Sequence, residues 1–359
     1  MRTVAERGTR APSGTRHAGA YGRAGTREAM VSYVGRLVSR ATHPTDPLVM
    51  PPHRSRRPSL AFATYAAAPA LQADDELLAA ALGRCEFNVE AVVWSDPRAD
   101  WRAFDAVVLR STWDYHLNPV AFRAWLDALD AAGVAVLNPT GVVRWNLDKR
   151  YLRVLASRGV ATVPTRWVER ARDAQLDALL DETGWDEVVV KPAVSASAHD
   201  TWRASRASAA VDAPRLRALA ESGAVLVQPF LREIEREGEW SLLFFGGRYS
   251  HAVCKRPRAG DFRVQPHLGG TSAPAIAPPP AIAAAERALT EAQALTGRGD
   301  ATSLPYARVD GCLVDGEFRL MELELIEPTL FLAQEPAAPD RCAAALRDAL
   351  RHAAPPAFP

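Results

Sequence analysis

The sequence predicts a protein of mixed α/β and α+β class, in which a small open α/β domain precedes a larger α+β portion. Three observations carry this expectation. Between Ser59 and Leu137 short apolar runs alternate with amphipathic stretches, the pattern of strands linked by helices in a parallel sheet. Further on, apolar runs flank tight-turn dipeptides, Gly246-Gly247 and Asp315-Gly316, as in antiparallel hairpins. Finally, 359 residues with 48% hydrophobic content suffice for two or three structural units with real cores.

Taken in order, Ser59–Tyr65 reads as the first strand, Asp74–Arg84 as a helix, and Phe87–Trp94 and Ala106–Leu109 as strands. Val120–Ala132 has the spacing of an amphipathic helix and Val134–Leu137 that of a strand. Asn146–Arg158 is expected as one helix, followed by a short strand after Val163-Pro164-Thr165, a helix over Ala174–Glu182 and an apolar strand over Glu187–Lys191. Val225–Pro229 is a further strand, and Trp240–Phe245 pairs with Arg248–Lys255. Ala259–Ser272 reads as a polar, glycine-containing loop and Pro274–Pro280 as a linker, before helices over Ala281–Thr296 and Asp340–His352. Residues 1–57 carry eleven arginines against Glu6, Glu28 and Asp46 and show no apolar periodicity. They are expected to be disordered, either a transit-peptide-like tail or an over-extended start ahead of Met30 or Met50. Residues 353–359 are expected to fray.

Composition narrows the function. A net charge of +1 gives no global field for nucleic acid or an anionic membrane, and no apolar run approaches the roughly 20 residues of a membrane span. Cys85, Cys254, Cys312 and Cys342 are scattered without a CxxC pair, which suits a reducing cytoplasmic setting. A homo-oligomer is compatible with the sequence. Among 43 basic residues only Lys149, Lys191 and Lys255 are lysines. Where arginine serves every generic need, a retained lysine points to a place that wants a compact ammonium on a flexible stem.

The candidate chemistry centres on Ala307–Glu327. In Met321-Glu322-Leu323-Glu324-Leu325 the alternation puts both glutamates on one face and the leucines on the other. With a three-residue turn, Asp315-Gly316-Glu317, Asp310 lies opposite Glu322 and Arg308 opposite Glu324; a two-residue turn would instead put Asp310 on the leucine face. Asp310, Glu322 and Glu324 together read either as a Mg²⁺ site or as a solvated charged face. Lys191 ends the strand Val188-Val189-Val190 beside the small-residue loop Ala193–Ala198, an arrangement suited to phosphate or to a lysine at a sheet edge. No GxxxxGK[ST] loop is present. Arg263, near Gly269-Gly270, reads as a phosphoryl or carboxyl clamp or as a surface arginine. Ser111-Thr112-Trp113-Asp114-Tyr115 follows strand Ala106–Leu109 directly, where open α/β sheets bind ligands, and suggests Ser111, Asp114 and Tyr115, with Arg308, as contacts for a small polar substrate.

The order of these motifs resembles the ATP-grasp superfamily: Lys149, then Lys191-Pro192, Gln228-Pro229-Phe230-Leu231, Gly238-Glu239-Trp240-Ser241, Lys255-Arg256, Asp261-Phe262-Arg263 with Gly269-Gly270, and Asp310 with Glu322-x-Glu324. The run Lys255-Arg256, Asp261-Phe262-Arg263 and Gly269-Gly270 looks especially like the amino-acid ligases of the glutathione-synthetase and ribosomal-S6-modifying type. Ser111–Tyr115 and the ending Leu323–Leu332 are similar to the D-cycloserine-forming branch. The resemblance implies a pre-ATP-grasp domain over 58–143, an ATP-grasp subdomain over 144–228 and a second over 229–352. It implies ATP and Mg²⁺ (or Mn²⁺) as cofactors. Lys149 and Lys191 would grip phosphates, Gln228–Leu231 would frame adenine, and Glu239 or Glu235 would take ribose. Asp310, Glu322 and Glu324 would hold the metal, with Arg263 as the catalytic residue. The third metal ligand is usually Asn in that family and here is Glu324, and the loop after Lys191 lacks the usual glycines. The implied activity is a carboxylate–amine ligase working through an acyl phosphate on an amino-acid-like substrate, intramolecular cyclisation included. The alternative is a nucleotide-binding or sensing module of the same fold without turnover.

Overall fold

A computed structural model describes residues 56–297 and 304–353. The expected tail over 1–57 lies outside these except for Arg56 and Arg57, which pair with Asp105 and Glu86 at 2.9 and 3.7 Å. The expected fraying after Ala353 lies outside them too. No helix of the described residues is long and apolar enough to cross a membrane.

Three sheets organise the described chain. The first contains β1 (Ser59–Thr64), β2 (Asn88–Val93), β3 (Ala106–Leu109) and β4 (Val136–Leu137), all parallel, in the order β2-β1-β3-β4. Ala61–Ala63 and all of β3 are buried, as strands covered on both faces must be, which is why they read as continuous apolar runs. The covering helices are α1 (Ala73–Arg84) and α2 (Pro119–Ala131). Asn118 caps α2 through the amide of Ala121 at 3.1 Å, with Pro119 at the first helical position, where a missing N–H costs nothing.

The single helix expected over Asn146–Arg158 is two: α3 (Thr140–Asn146) and α4 (Tyr151–Ser157). The break has tertiary causes. Asn146 spends its side chain on the backbone of Leu323 and Leu325, the Lys149 amide donates to the carbonyl of Ala193 at 2.8 Å, and Asp148 accepts from the amide of Arg150. Lys149 therefore sits on a connector and not on a helix.

The second sheet has β5 (Arg166–Val168), β6 (Glu187–Pro192), β7 (Trp202–Ser205) and β8 (Val225–Pro229), antiparallel in the order β5-β8-β6-β7, with α5 (Leu176–Thr183) and α6 (Ala209–Ser222) on it. The third follows α7 (Arg232–Arg236) and contains β9 (Glu239–Phe245), β10 (Arg248–Arg256), β11 (Thr271–Ala275), β12 (Tyr306–Val314) and β13 (Glu317–Glu324), in the antiparallel order β11-β10-β9-β12-β13. The region expected as loop and linker thus contains β11 and the start of α8 (Pro279–Leu295). A last helix, α9 (Ala338–Ala353), returns to pack against α1.

The turn between β12 and β13 corrects an expectation. It has two residues, Asp315 and Gly316, with φ of 51° and 81°, the positive values a tight hairpin turn needs. Register is restored by a bulge: Gly311 pairs with Leu320 but Asp310 pairs with Glu322, leaving Met321 as the extra residue. Asp310 and Arg308 consequently face Glu322 and Glu324, while Phe318, Leu320 and Leu323 go to the core.

The segment leaving β13 is stitched to the first sheet. Tyr306 places its hydroxyl within 3.1 Å of the carbonyls of Leu109, Leu137 and Ile326, and Asn138 donates to the carbonyls of Tyr306 and Leu325. Arg110, buried against Asp75 at 2.7 Å, donates to the carbonyl of Pro328. Asp74 accepts the amides of Leu330 and Leu332.

Candidate active site

A cleft of about 450 Å³ lies among the second sheet, the third sheet and the loop after β3. Lys191 enters from the end of β6, Gln228 and Pro229 from the end of β8, Lys255 from β10, Arg308 and Asp310 from β12, and Glu322 and Glu324 from β13. Lys149 reaches it from the connector between α3 and α4, and Tyr115 from the loop after β3. Each polar group arrives on a strand end or on a connector pinned by backbone hydrogen bonds, so side-chain freedom is already restricted there.

The electrostatics follow from burial and pairing. Arg308 grips Asp310 with two nitrogens, Nε and Nη2, at 3.0 Å, donates to the carbonyl of Thr329, and also pairs with Glu324. Asp310 accepts in addition from Ser241 at 2.5 Å and from Lys255 at 3.2 Å. Burial pushes the Asp310 carboxyl up, but Arg308 and Lys255 outweigh it and hold it at about 2. Burial also raises Glu324, and with Asp310 and Glu322 nearby it reaches about 7 despite Arg308. Glu322 lies 3.1 Å from the ammonium of Lys149; against the upward push of burial, Lys149 and Lys191 lower it. Lys191 is lowered by burial, with Lys149 adding to the effect. Lys149 also donates to the carbonyl of Ser195 at 2.7 Å, tying the small-residue loop to the site. In that loop Ser197, Ala198 and Asp200 have φ near 50°, a region that glycine would enter without strain.

The structure brings most of the expected residues to this one cleft: Lys149, Lys191, Gln228–Leu231, Glu235, Glu239, Arg263, Arg308, Asp310, Glu322, Glu324 and Tyr115 all line it. Two do not reach it. Ser111 is wholly buried, and the carboxylate of Asp114 accepts from Trp94 Nε1 at 2.7 Å beside a separate aromatic groove. Arg263 lines the cleft but folds its guanidinium onto Asp261 at 2.9 and 3.0 Å. Glu239 is engaged by Lys255 at 2.5 Å, leaving Glu235 as the more exposed carboxylate near Gln228–Leu231. Trp113 lines the cleft with Tyr115, and Lys255 and Glu327 line it without being among the expected site residues; Lys255 is marked in the sequence as one of three lysines, whereas nothing local marks the burial of Glu327.

The acidic residues do not form a ready-made ligand cage. Among the described residues no group of three His, Cys, Asp or Glu side chains is disposed to hold a metal ion. Each carboxylate is matched instead by a cation of the chain. The donor set still fits a hard ion: the side chains of Glu322 and Glu324 line the cleft and are 30% and 26% exposed, while Asp310 is committed to Arg308.

A cleft between two antiparallel sheets, with Lys191 on one and Lys255 beside an Asp…Glu-x-Glu set on the other, defines an ATP-grasp ligase. Solved structures agree on the fold. A D-alanine–D-alanine ligase from Bacillus anthracis, solved with ATP, superposes with a TM-score of 0.55 at 15% identity, covering 82% of this chain and 97% of that one. A crystal structure of D-cycloserine synthetase DcsG superposes with a TM-score of 0.72 at 31% identity, covering 81% of this chain and 99% of that one. Residues 60–138 match the family model of the D-cycloserine synthetase DcsG N-terminal domain. The cycloserine biosynthesis protein DcsG of Streptomyces lavendulae is 34% identical over 303 residues, 81% of this chain and 99% of that protein. The chain belongs to the DcsG family of ATP-grasp ligases.

Proposed function

We propose that the chain is an ATP- and Mg²⁺-dependent carboxylate–amine ligase that activates a small amino-acid-like acid as its acyl phosphate, with ring closure by an amine of the same molecule, as in D-cycloserine formation, as the form of the reaction. The observation that carries this reading is the convergence of Lys149, Lys191, Lys255, Arg308 and four paired carboxylates in one cleft. Phosphoryl transfer asks a protein for position and charge more than for covalent help, and this cleft supplies both. Lys191 and Lys149 stand where phosphate oxygens would satisfy their half-desolvated ammoniums. Phe230 and Leu231, with Gln228, offer an apolar slot with one amide for a base, and Glu235 is placed to accept from a ribose hydroxyl. Mg²⁺, held by Glu322 and Glu324, would neutralise charge on the transferring group. Arg308 is locked by Asp310 and the carbonyl of Thr329, so its charge is preorganised for an oxyanion on the attacked carboxyl. Arg263 would release Asp261 and turn inward.

Release of ADP measured across a panel of amino acids and their O-substituted derivatives tests the reading, with hydroxylamine present to trap an acyl phosphate as hydroxamate. We expect ADP release dependent on one such acid, hydroxamate formation, and a loss of at least about 100-fold in turnover for Glu322→Gln. ATP binding without ADP release for any acid tried would point to a binding module and sink the ligase reading.

A further inference from the structure

Among the acidic side chains buried in the cleft, Glu327 stands apart. Asp310 has Arg308 and Lys255, Glu322 has Lys149, Glu324 has Arg308 and Glu239 has Lys255. Glu327 is only 8% exposed and lines the same cleft, yet among the described residues its carboxylate has no hydrogen bond and no ion pair. A carboxylate removed from water without a partner costs several kcal/mol, and a chain that keeps one at a ligand cleft leaves the partner to be supplied from outside.

The backbone around it is fixed. Trp113 Nε1 donates to the carbonyl of Glu327 at 3.3 Å, and Arg110 donates to that of Pro328 at 3.1 Å. The side chain is therefore presented by two strong anchors and not by a drifting loop. Its surroundings suit a cation. Trp113, which donates to the Glu327 carbonyl, and Tyr115 line the same cleft, and aromatic faces attract an ammonium. Tyr115 lines the same cleft, and after burial itself the Glu327 charge is the largest influence raising its phenol. Burial and the charges of Glu324 and Glu322 raise the Glu327 carboxyl well above its ordinary range, and a bound cation would act against the repulsion between these charges.

We propose that Glu327 is a specificity residue that receives the α-ammonium of the amino-acid substrate, on the side of the cleft formed by the first sheet, so that the substrate's carboxyl is directed toward Arg308. The inference rests on the ligase reading. It assigns Glu327 a contact with substrate and no part in proton transfer.

The test uses the full chain with Mg²⁺ and a non-hydrolysable ATP analogue, and reads binding of D-cycloserine against isoxazolidin-3-one, the same ring without the amine, by calorimetry. A hydrogen-bonded charge pair predicts that the wild type prefers the amine by about 30-fold, and that Glu327→Gln reduces this preference to about 3-fold or less while affinity for the ATP analogue changes by less than about 2-fold. Glu327→Asp should restore part of the preference. A wild type indifferent to the amine, or a Glu327→Gln variant that keeps the full preference, overturns the assignment. Failure of the wild type to bind the ATP analogue would instead remove the ligase reading beneath it.

Discussion

Arg110 and Asp75 show how single residues hold the segment leaving β13 in place. Both are about 2% exposed, 2.7 Å apart, and Arg110 also reaches the carbonyl of Pro328, next to Glu327. Its Nη1 has no partner, and the ring of Tyr306 lies 5.5 Å from its Cζ. Desolvation disfavours this guanidinium, and Asp75 is what offsets the cost. Removing one member of such a pair strands the other as an uncompensated charge, whereas removing both does not. Asp75→Asn is therefore expected to lower unfolding free energy by about 3–5 kcal/mol in urea titrations of the full chain. The double variant Asp75→Leu with Arg110→Met should cost less than Asp75→Asn alone. A single variant within about 0.5 kcal/mol of wild type would show that the pair contributes nothing net.

At the scale of an element, the β12–β13 hairpin decides whether the acidic residues meet. Two positive-φ residues close the turn, and the bulge at Met321 moves Glu322 into register with Asp310. The bulge depends on Gly311, where an added Cβ would stand 2.4 Å from both the carbonyl oxygen of Arg319 and the Phe318 ring. A backbone atom cannot step aside as a flexible side chain can. Gly311→Ala should destabilise the protein by about 1–3 kcal/mol in denaturant titration. It should also reduce ADP release far more than that loss explains, because the register carrying Glu322 and Glu324 is disturbed. Wild-type activity in this variant would show that register at the bulge is unimportant. The same hairpin shows what was legible beforehand. Alternation in Met321–Leu325 is a local property and told the faces apart, but a bulge answers to crowding between strands and leaves no local mark. The parallel strands were legible because burial on both faces makes continuous apolar runs such as Ala106–Leu109. The break between α3 and α4 was hidden because its causes, Leu323, Leu325 and Ala193, lie far away in sequence. So was α6, which carries Pro214 within a weakly amphipathic stretch. For the cleft, the scarcity of lysine singled out Lys149 and Lys191, while the isolation of Glu327 is a fact of three-dimensional burial alone.

Across the whole molecule, Lys149 joins what the sheets hold apart. Its ammonium touches the carbonyl of Ser195, on the loop leaving the second sheet, and Glu322, on the third. Without ligand the cleft is balanced only by such internal pairs. Burial raises the carboxyls of Glu324 and Glu327, so the negative charge is concentrated at Asp310 and Glu322, both held low by neighbouring cations. An ATP molecule would add more negative charge to the same space, so its binding should depend on a divalent cation to relieve repulsion. Binding to the native state alone stabilises by mass action, about 2.7 kcal/mol at 100 times Kd. For a chain of this size that corresponds to a rise in melting temperature of about 3–5 °C. We expect this rise with ATP and Mg²⁺ together, less than half of it when EDTA replaces the metal, and almost none in Lys149→Met under either condition. The variant lacks the tie between the loop and Glu322 and, on the proposed reading, a phosphate contact, and both losses act in the same direction. Differential scanning calorimetry at fixed ATP concentration provides the measurement. An equal rise with EDTA would show that the chain's own cations suffice for the phosphates. A full rise in Lys149→Met would remove this lysine from the nucleotide site.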